Sequence, residues 1–287
     1  MWFRLMNFKK LSAYNFLISL LFTSWAAQAE PTAKRIISLA PSLTELVYSA
    51  GAGDQLVGVV NYSDYPEAAL SVPIVGSYNA LNFEVIMQLK PDLVLAWQSG
   101  NRPQDLDRLK RLGLNLLIRD TQRLDDIANL IEEIGRLSQQ TQTASAEANR
   151  LRQQLNQLRT RYQHAPKVRV FYQVWHQPTI TINGEQFISQ AIEVCGGQNV
   201  FADLSALAPH VNREAVIQKN PDMILLGGLD HVQQKWLEDW QKIPQLKAVQ
   251  NDHIYPLNAD HFQRPTARLI DALDNLCQLM DQARTQD

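Results

Sequence analysis

Short apolar runs alternate with helical patterns along most of the sequence, and this alternation restricts the chain to one class of fold. Residues 36–40, 92–97 and 114–119 are rich in β-branched residues or leucine, and each run is followed by a turn and a segment with helical spacing. Such alternation favours βα units and a parallel sheet. Ligands of parallel sheets bind outside the carboxyl ends of the strands, so candidate residues are sought just after each run.

One segment interrupts this alternation and divides the chain. Residues 142–164 contain neither glycine nor proline, and Leu151, Leu155 and Leu158 recur at helical spacing. A helix of this length spans roughly 35 Å. A second series of apolar runs and helical patterns follows Pro166. We therefore predict an α/β protein with two Rossmann-like lobes joined by one long rigid helix, and a cleft between the lobes is a favoured ligand site.

The N-terminal segment has the parts of a secretory signal peptide in the usual order. Arg4, Lys9 and Lys10 precede an apolar stretch over residues 16–22, and an Ala-Gln-Ala sequence ends at Ala29. The apolar stretch is short for a membrane span, so we favour cleavage and export over an uncleaved anchor. The predicted divisions are residues 1–29 (signal peptide), 30–141 (first lobe), 142–165 (linker helix) and 166–287 (second lobe).

Charge and missing motifs narrow the function classes. Without the predicted signal peptide the chain has 24 basic and 29 acidic residues, so it is a poor partner for nucleic acid. It contains no nucleophile elbow, P-loop, Gly-x-Gly-x-x-Gly, Cys-x-x-Cys or His-Glu-x-x-His motif. We therefore expect no catalytic residues and no resident cofactor. An exported two-lobe enzyme stays an alternative because carboxylate pairs leave little local signature, and so does a structural interaction protein.

The histidines and cysteines argue against a metal site. All six histidines follow the predicted first lobe, so imidazoles from both lobes cannot hold a metal between them, although carboxylates could complete such a site. Cys195 and Cys277 are the two cysteines of the chain. In an oxidising compartment an isolated pair favours a disulfide over two separate buried thiols.

Aromatic side chains recur where the predicted strands end. Flat rings with polar edges bind large, partly apolar ligands at low entropic cost, because they have few rotamers to lose. Any one of these rings could be ordinary packing, but their shared placement predicts a ligand wall. The rings are those of Tyr62, Tyr65, Tyr78, Trp97 and Trp175.

Several motifs resemble those of the periplasmic cobalamin (vitamin B12)-binding proteins that feed ABC importers. This family lies within the class III periplasmic binding proteins, whose lobes are joined by a single helix, and the similarity covers residues 33–280. Lys-Pro-Asp and Gly-Gly-x-Asn sequences occur throughout that class. The tyrosine loop, defined as residues 61–66, points more narrowly to cobalamin, together with Ala-Trp at residues 96–97 and Asp-x-Phe-x-Arg at residues 260–264.

The resemblance implies a set of ligand-binding residues. Tyr65 and Trp97 would line a corrin site from the first lobe, and Asp260 and Arg264 would approach it from the second. A corrin has a broad face for aromatic rings and a rim of amides that carboxylate and guanidinium groups can hydrogen-bond. Cobalamin is thus expected as a transported ligand and not as a cofactor.

Two positions depart from the family. This chain has Tyr78 where the family has one tryptophan, and Ala208 where it has another. Trp175 replaces a small residue of the family, and we expect its ring to refill the space lost at Ala208. The departures leave the corrinoid open, with heme or a ferric siderophore as the alternative ligand, since related proteins hold heme through tyrosine or histidine.

The resemblance also implies a partner. Glu84 and Glu214 match two glutamates, one on each lobe, that dock on arginines of an ABC importer permease dimer in the inner membrane. Cys195 and Cys277 match the family's disulfide. The protein is therefore expected in the periplasm, as a monomer when free.

Overall fold

The computed structural model describes residues 32–285, and the predicted signal peptide lies outside them. The first lobe is built on one four-stranded parallel sheet and a two-stranded antiparallel hairpin. In chain order it contains β1 (Ile36–Ser38), α1 (Pro41–Ser49), β2 (Leu56–Val59), β3 (Gly76–Ser77), β4 (Ala80–Leu81), α2 (Phe83–Gln88), β5 (Leu93–Trp97), α3 (Pro103–Arg111), β6 (Leu116–Arg119) and α4 (Leu124–Leu137).

A helix of 22 residues, α5 (Thr141–Tyr162), follows α4 and ends just before Pro166. The second lobe is built on another four-stranded sheet. It contains β7 (Val168–Gln173), α6 (Phe187–Val194), β8 (Gly197–Asn199), α7 (Arg213–Lys219), β9 (Met223–Leu226), α8 (Asp230–Gln241), α9 (Lys247–Gln250), β10 (Ile254–Pro256), α10 (Ala259–Phe262) and α11 (Ala267–Arg284).

Both sheets are parallel, as the alternation of short strands and helices predicts. Their strand orders are β2-β1-β5-β6 and β10-β9-β7-β8. In each sheet a buried central pair lies between two edge strands, and β9 (Met223–Leu226) is buried along its whole length. Parallel strands covered on both faces carry nearly continuous apolar runs, which explains the sequence of these segments.

The two lobes repeat one local unit, which is also visible in the sequence. Residues 82–97 and residues 212–227 align without a gap at a constant offset of 130. In both units an asparagine side chain caps a helix, a residue with positive φ follows the helix, and a Pro-Asp pair precedes the strand. The aspartates, Asp92 and Asp222, accept hydrogen bonds from the backbone N–H of Arg35 and Arg169 respectively.

One hydrophobic cluster continues from the first lobe through the linker helix into the second. It includes Leu46 and Ile131 of the first lobe, Leu155 of α5, and Ile192 and Leu273 of the second lobe. The outer faces of the two sheets have separate clusters. The lobes are therefore joined by a shared core as well as by α5.

The disulfide expected from the family resemblance joins α6 to α11. Cys195 and Cys277 are buried, with their Cα atoms 4.7 Å apart and a sequence separation of 82. It ties together two helices that both contribute to the shared core.

One segment with the composition of a strand does not join the second sheet. Residues 180–182 have the β-branched composition of a strand, but the structure gives Ile180 only isolated bridges to Trp175 and His210. The backbone turns back after β7, so that Val174 donates its N–H to the carbonyl of Ile180 at 2.8 Å. This loop lies across the end of the sheet instead of extending it. No helix within residues 32–285 is long and apolar enough to span a membrane.

Candidate ligand-binding cleft

A cleft of about 520 Å³ opens between the carboxyl ends of the two sheets. Its first-lobe wall follows β1, β5 and β6, and its second-lobe wall follows β7 and includes the start of α6 and the segment before α11. Sites beyond the carboxyl ends of strands are the expected ligand sites of parallel sheets. Lining side chains with apolar surface or charge include Trp97, Arg119, Asp120, Phe187, Leu207 and Arg264.

Trp97 is the large aromatic ring in the first-lobe wall. It ends β5 with 39% of its surface exposed, although the four strand residues before it are buried. Asn101 holds the position by accepting the Trp97 N–H at 2.7 Å and donating to the carbonyls of Leu39 and Tyr78, both at 3.0 Å. A Cβ atom at Gly100 would lie 1.9 Å from the indole ring. The absence of a side chain at Gly100 therefore lets the ring take this position.

The tyrosine loop faces the second lobe beside the cleft. Asp64 forms an ion pair with Arg264 at 2.7 Å. The guanidinium carbon of Arg268 lies 4.0 Å from the ring centroid of Tyr65, a cation–π contact between the lobes. Tyr65 is 45% exposed but is not among the residues that line the 520 Å³ volume. The loop therefore forms a rim of the cleft and not its floor.

Arg264 brings positive charge from the second lobe to the cleft. Its Nη2 lies 2.9 Å from Asp260, and its Nη1 contacts both Asp64 and Glu45 of the first lobe. Burial alone would lower the pKa of Arg264, but the hydrogen bonds to Asp64 and Glu45 outweigh it and raise the pKa above its ordinary value. The guanidinium is therefore charged throughout the pH range in which the protein folds. Asp260 contacts the cleft only through this arginine.

Like Tyr65, the other three candidate rings lie outside the lining, and Tyr62 is 76% exposed. Tyr78 occupies the turn between β3 and β4 and is 46% exposed. Trp175 is 52% exposed, and its ring packs edge-on against Trp236 at 6.4 Å between centroids. Ala208 lines the cleft, whereas Trp175 is not among the lining residues.

Glu84 and Glu214 occupy equivalent positions in the repeated unit. Each is the second residue of its helix, α2 or α7, and each side chain is exposed. Asn82 accepts the N–H of Val85 at 3.1 Å, and Asn212 accepts that of Ala215 at 2.8 Å. The two carboxylates are thus presented in the same local geometry, one on each lobe.

Several lining residues were missed from the sequence. Arg119 ends β6 and Asp120 directly follows it, so the strand-end rule could have identified both. Asp120 accepts the hydroxyl and the N–H of Ser99, both at 3.0 Å, and Arg119 pairs with Glu133. Phe187 lies at the start of α6, and the folding of the second lobe brings it to the cleft. No feature of the sequence predicts this position.

Within residues 32–285, no group of histidine, cysteine, aspartate and glutamate side chains is arranged to hold a metal ion. His176 stacks on Trp236 and places its Nε2 3.1 Å from a carboxylate oxygen of Asp239. This distance is within hydrogen-bonding range, but the angle between the two groups is unfavourable, so His176 Nε2 has no well-aligned partner. These contacts support the second lobe and do not reach the cleft.

Comparison with known proteins identifies the relatives of this chain. Residues 36–261 match the periplasmic binding protein family. A vitamin B12-binding protein of Vibrio cholerae serotype O1 is 40% identical over 267 residues, which cover 93% of this chain and 96% of that protein. One from Yersinia pestis is 40% identical over 268 residues, covering 92% and 90% respectively.

Solved structures agree with this relationship. The periplasmic vitamin B12-binding protein BtuF of Vibrio cholerae has a TM-score of 0.80 at 40% identity, covering 88% of this chain and 98% of that one. The periplasmic heme-binding protein RhuT of Roseiflexus sp. RS-1 has a TM-score of 0.76 at 24% identity, covering 88% and 99%. At that lower identity the likeness is one of fold alone.

Proposed function

The chain belongs to the periplasmic binding protein family, and from this premise we propose that it captures cobalamin between its lobes and delivers it to an ABC importer. Substrate-binding components of such importers are not enzymes, and this protein is not one. The predicted signal peptide, residues 1–29, fits export to the periplasm. There the free protein would act as a monomer.

The observation that carries the proposal is the composition of the cleft, in a chain 40% identical to vitamin B12-binding proteins. The exposed indole of Trp97 and the apolar side chains Phe187 and Leu207 suit the broad face of a corrin. The guanidinium of Arg264 can hydrogen-bond the amides at the rim of the corrin. A preformed, partly apolar cleft with a few polar groups is the usual form of a small-molecule site.

The remaining candidate residues have roles at the edge of this site. A ligand that extends past the cleft mouth would meet these residues. Tyr65 is exposed at the rim and is available for such contact, and Trp175 follows directly on the lining residue Val174. Asp260 would act together with its ion-pair partner Arg264. The backbone carbonyl of Tyr78 accepts a hydrogen bond from Asn101, the residue that positions Trp97.

We further propose that Glu84 and Glu214 dock on the permease dimer. Equal local geometry on two lobes suits a partner that presents the same basic site twice. Exposed acidic groups of this kind contribute register and association rate more than affinity. The gap-free repeat of residues 82–97 and 212–227 supports the pairing, since it gives both glutamates the same place in their units.

Titration of the purified chain, residues 30–287, with cyanocobalamin tests the proposal. We expect saturable quenching of tryptophan emission and a change in the corrin absorption spectrum at micromolar ligand or below. A parallel titration with heme is read from the Soret band. Heme binding without any response to cyanocobalamin would refute the cobalamin assignment and favour the alternative ligand.

A further inference from the structure

Glu45 is an almost completely buried carboxylate on helix α1, with 2% of its side chain exposed. It accepts hydrogen bonds from two arginines of the second lobe. Arg268 donates from Nε at 2.9 Å and from Nη2 at 2.5 Å, and Arg264 donates from Nη1 at 3.1 Å. The roles assigned above do not account for this carboxylate.

The same arginines hold the tyrosine loop. Arg264 also donates to Asp64 at 2.7 Å, and Arg268 lies over the ring of Tyr65. Glu45 is thus the buried centre of an arginine cluster, defined as Glu45, Asp64, Tyr65, Arg264 and Arg268. The cluster joins α1 and the tyrosine loop of the first lobe to the start of α11 in the second.

Stability alone explains this cluster poorly. Burying a carboxylate and a guanidinium costs several kcal/mol, and well-packed apolar residues often stabilise a protein as much as the buried pair does. An apolar side chain at position 45 would join the core beside Leu46 and Val47. A paired carboxylate contributes geometric specificity instead, because its hydrogen bonds to a guanidinium fix the orientation of both groups.

The cluster lies directly behind the cleft. Residues 41–43 and 263–265 form part of the cleft lining, and Glu45 and Arg268 lie about one helical turn beyond them on α1 and α11. Arg264 belongs to both the lining and the cluster. A guanidinium has five N–H donors, so contacts with three carboxylates do not exhaust it.

We propose that Glu45 is a positioning residue that fixes Arg264 toward the cleft and, with Arg268, sets the spacing of the two lobes. The first part rests on the proposed function, because it gives Arg264 a ligand to meet. The second part concerns the ligand-free protein and stands without it.

A double-mutant cycle tests the first part. Glu45→Gln should weaken cyanocobalamin binding about tenfold or more, the usual worth of a hydrogen bond to a charged group. In an Arg264→Ala background the same substitution should cost clearly less affinity, since the part of the loss that acts through Arg264 is already gone. Equal losses in both backgrounds would overturn the positioning role. Glu132→Gln, which breaks a bidentate pair with Arg152 away from the cleft, is the matched control and should leave affinity unchanged.

Spin labels on the two lobes test the second part without ligand. Cysteines introduced at Arg111 and Gln234, both exposed, report the distance between the lobes. Glu45→Gln should broaden this distance distribution, and Glu132→Gln should not. An unchanged distribution would overturn the proposed spacing role. If Glu45→Gln does not fold, Arg268→Gln removes the other arm of the cluster and is expected to give the same broadening.

The two measurements separate this inference from the proposed function. Wild-type protein that binds no cyanocobalamin would refute the cobalamin assignment. The distance distribution would still decide whether Glu45 sets the spacing of the lobes. Cyanocobalamin binding with no effect of Glu45→Gln on either measurement would overturn the inference and leave the proposed function intact.

Discussion

Replacing Trp97 with alanine gives the most direct test of the cleft. The ring is 39% exposed in the ligand-free protein. A tryptophan buries up to about 250 Å² in a full contact, so roughly 100 Å² remains for a ligand to cover. At about 25 cal/mol per Å², that area is worth about 2.5 kcal/mol, close to a 70-fold change in Kd. We expect Trp97→Ala to weaken cyanocobalamin binding by about 1 to 3 kcal/mol in a calorimetric titration.

Two further variants make this measurement specific. Leu112→Ala removes an apolar side chain with 40% exposure outside the cleft lining, so it should leave Kd unchanged. Gly100→Ala keeps the indole but forces it away, because the new Cβ would lie 1.9 Å from the ring. It should therefore weaken binding in the same direction as Trp97→Ala. An unchanged Kd for both Trp97→Ala and Gly100→Ala would mean that the ring does not contact the ligand.

Three other predictions follow from the same structure. Reversing Glu84 and Glu214 to lysine should preserve ligand affinity and abolish stimulation of the importer's ATPase; normal stimulation would exclude them from docking. Replacing Cys195 and Cys277 with serine should lower the free energy of unfolding, measured in urea, by up to about 4.5 kcal/mol. The reason is that the disulfide closes a loop of 82 residues and so reduces the conformational entropy of the unfolded chain. An unchanged free energy of unfolding would contradict this explanation. Burial alone would raise the pKa of Asp64, but Arg264 outweighs it and lowers the pKa below 3.8. The difference in stability between the wild type and Asp64→Asn should therefore be constant above about pH 5 and disappear only as the pH falls through the lowered pKa. If thermal melts showed this difference disappearing already between about pH 7 and pH 5, the reasoning would be refuted.

The general architecture was predictable because local signals and fold rules agree. Pro41 and Pro103 begin α1 and α3, positions where a missing N–H costs nothing, and Pro166 lies just past α5. Buried parallel strands carry apolar runs that the sequence displays directly. The strand-end rule then placed Trp97 at the cleft without any reference to a relative.

The parts that sequence could not provide depend on contacts between distant residues. Residues 180–182 have strand composition, but the turn after β7 keeps them out of the sheet. Trp175 ends an apolar run as Trp97 does, yet it packs on Trp236 of the same lobe. In the sequence, Glu45 looks like an ordinary helix residue, because the two arginines that it contacts lie more than 200 residues later.

The contacts between the lobes determine how the cleft can change on binding. On one side, Gln190 of α6 donates to the carbonyl of Gln122 at 2.9 Å and accepts the N–H of Leu124 at 3.3 Å. On the other, the arginine cluster joins α1 to α11, and the shared core continues between them through α5. A wide hinge rotation would break both sets of hydrogen bonds and expose apolar surface of that core. We therefore expect closure by small adjustments, with the walls of the cleft largely in place before a ligand arrives. Such preorganisation reduces the ordering cost of binding, which favours a large, rigid ligand over a flexible one.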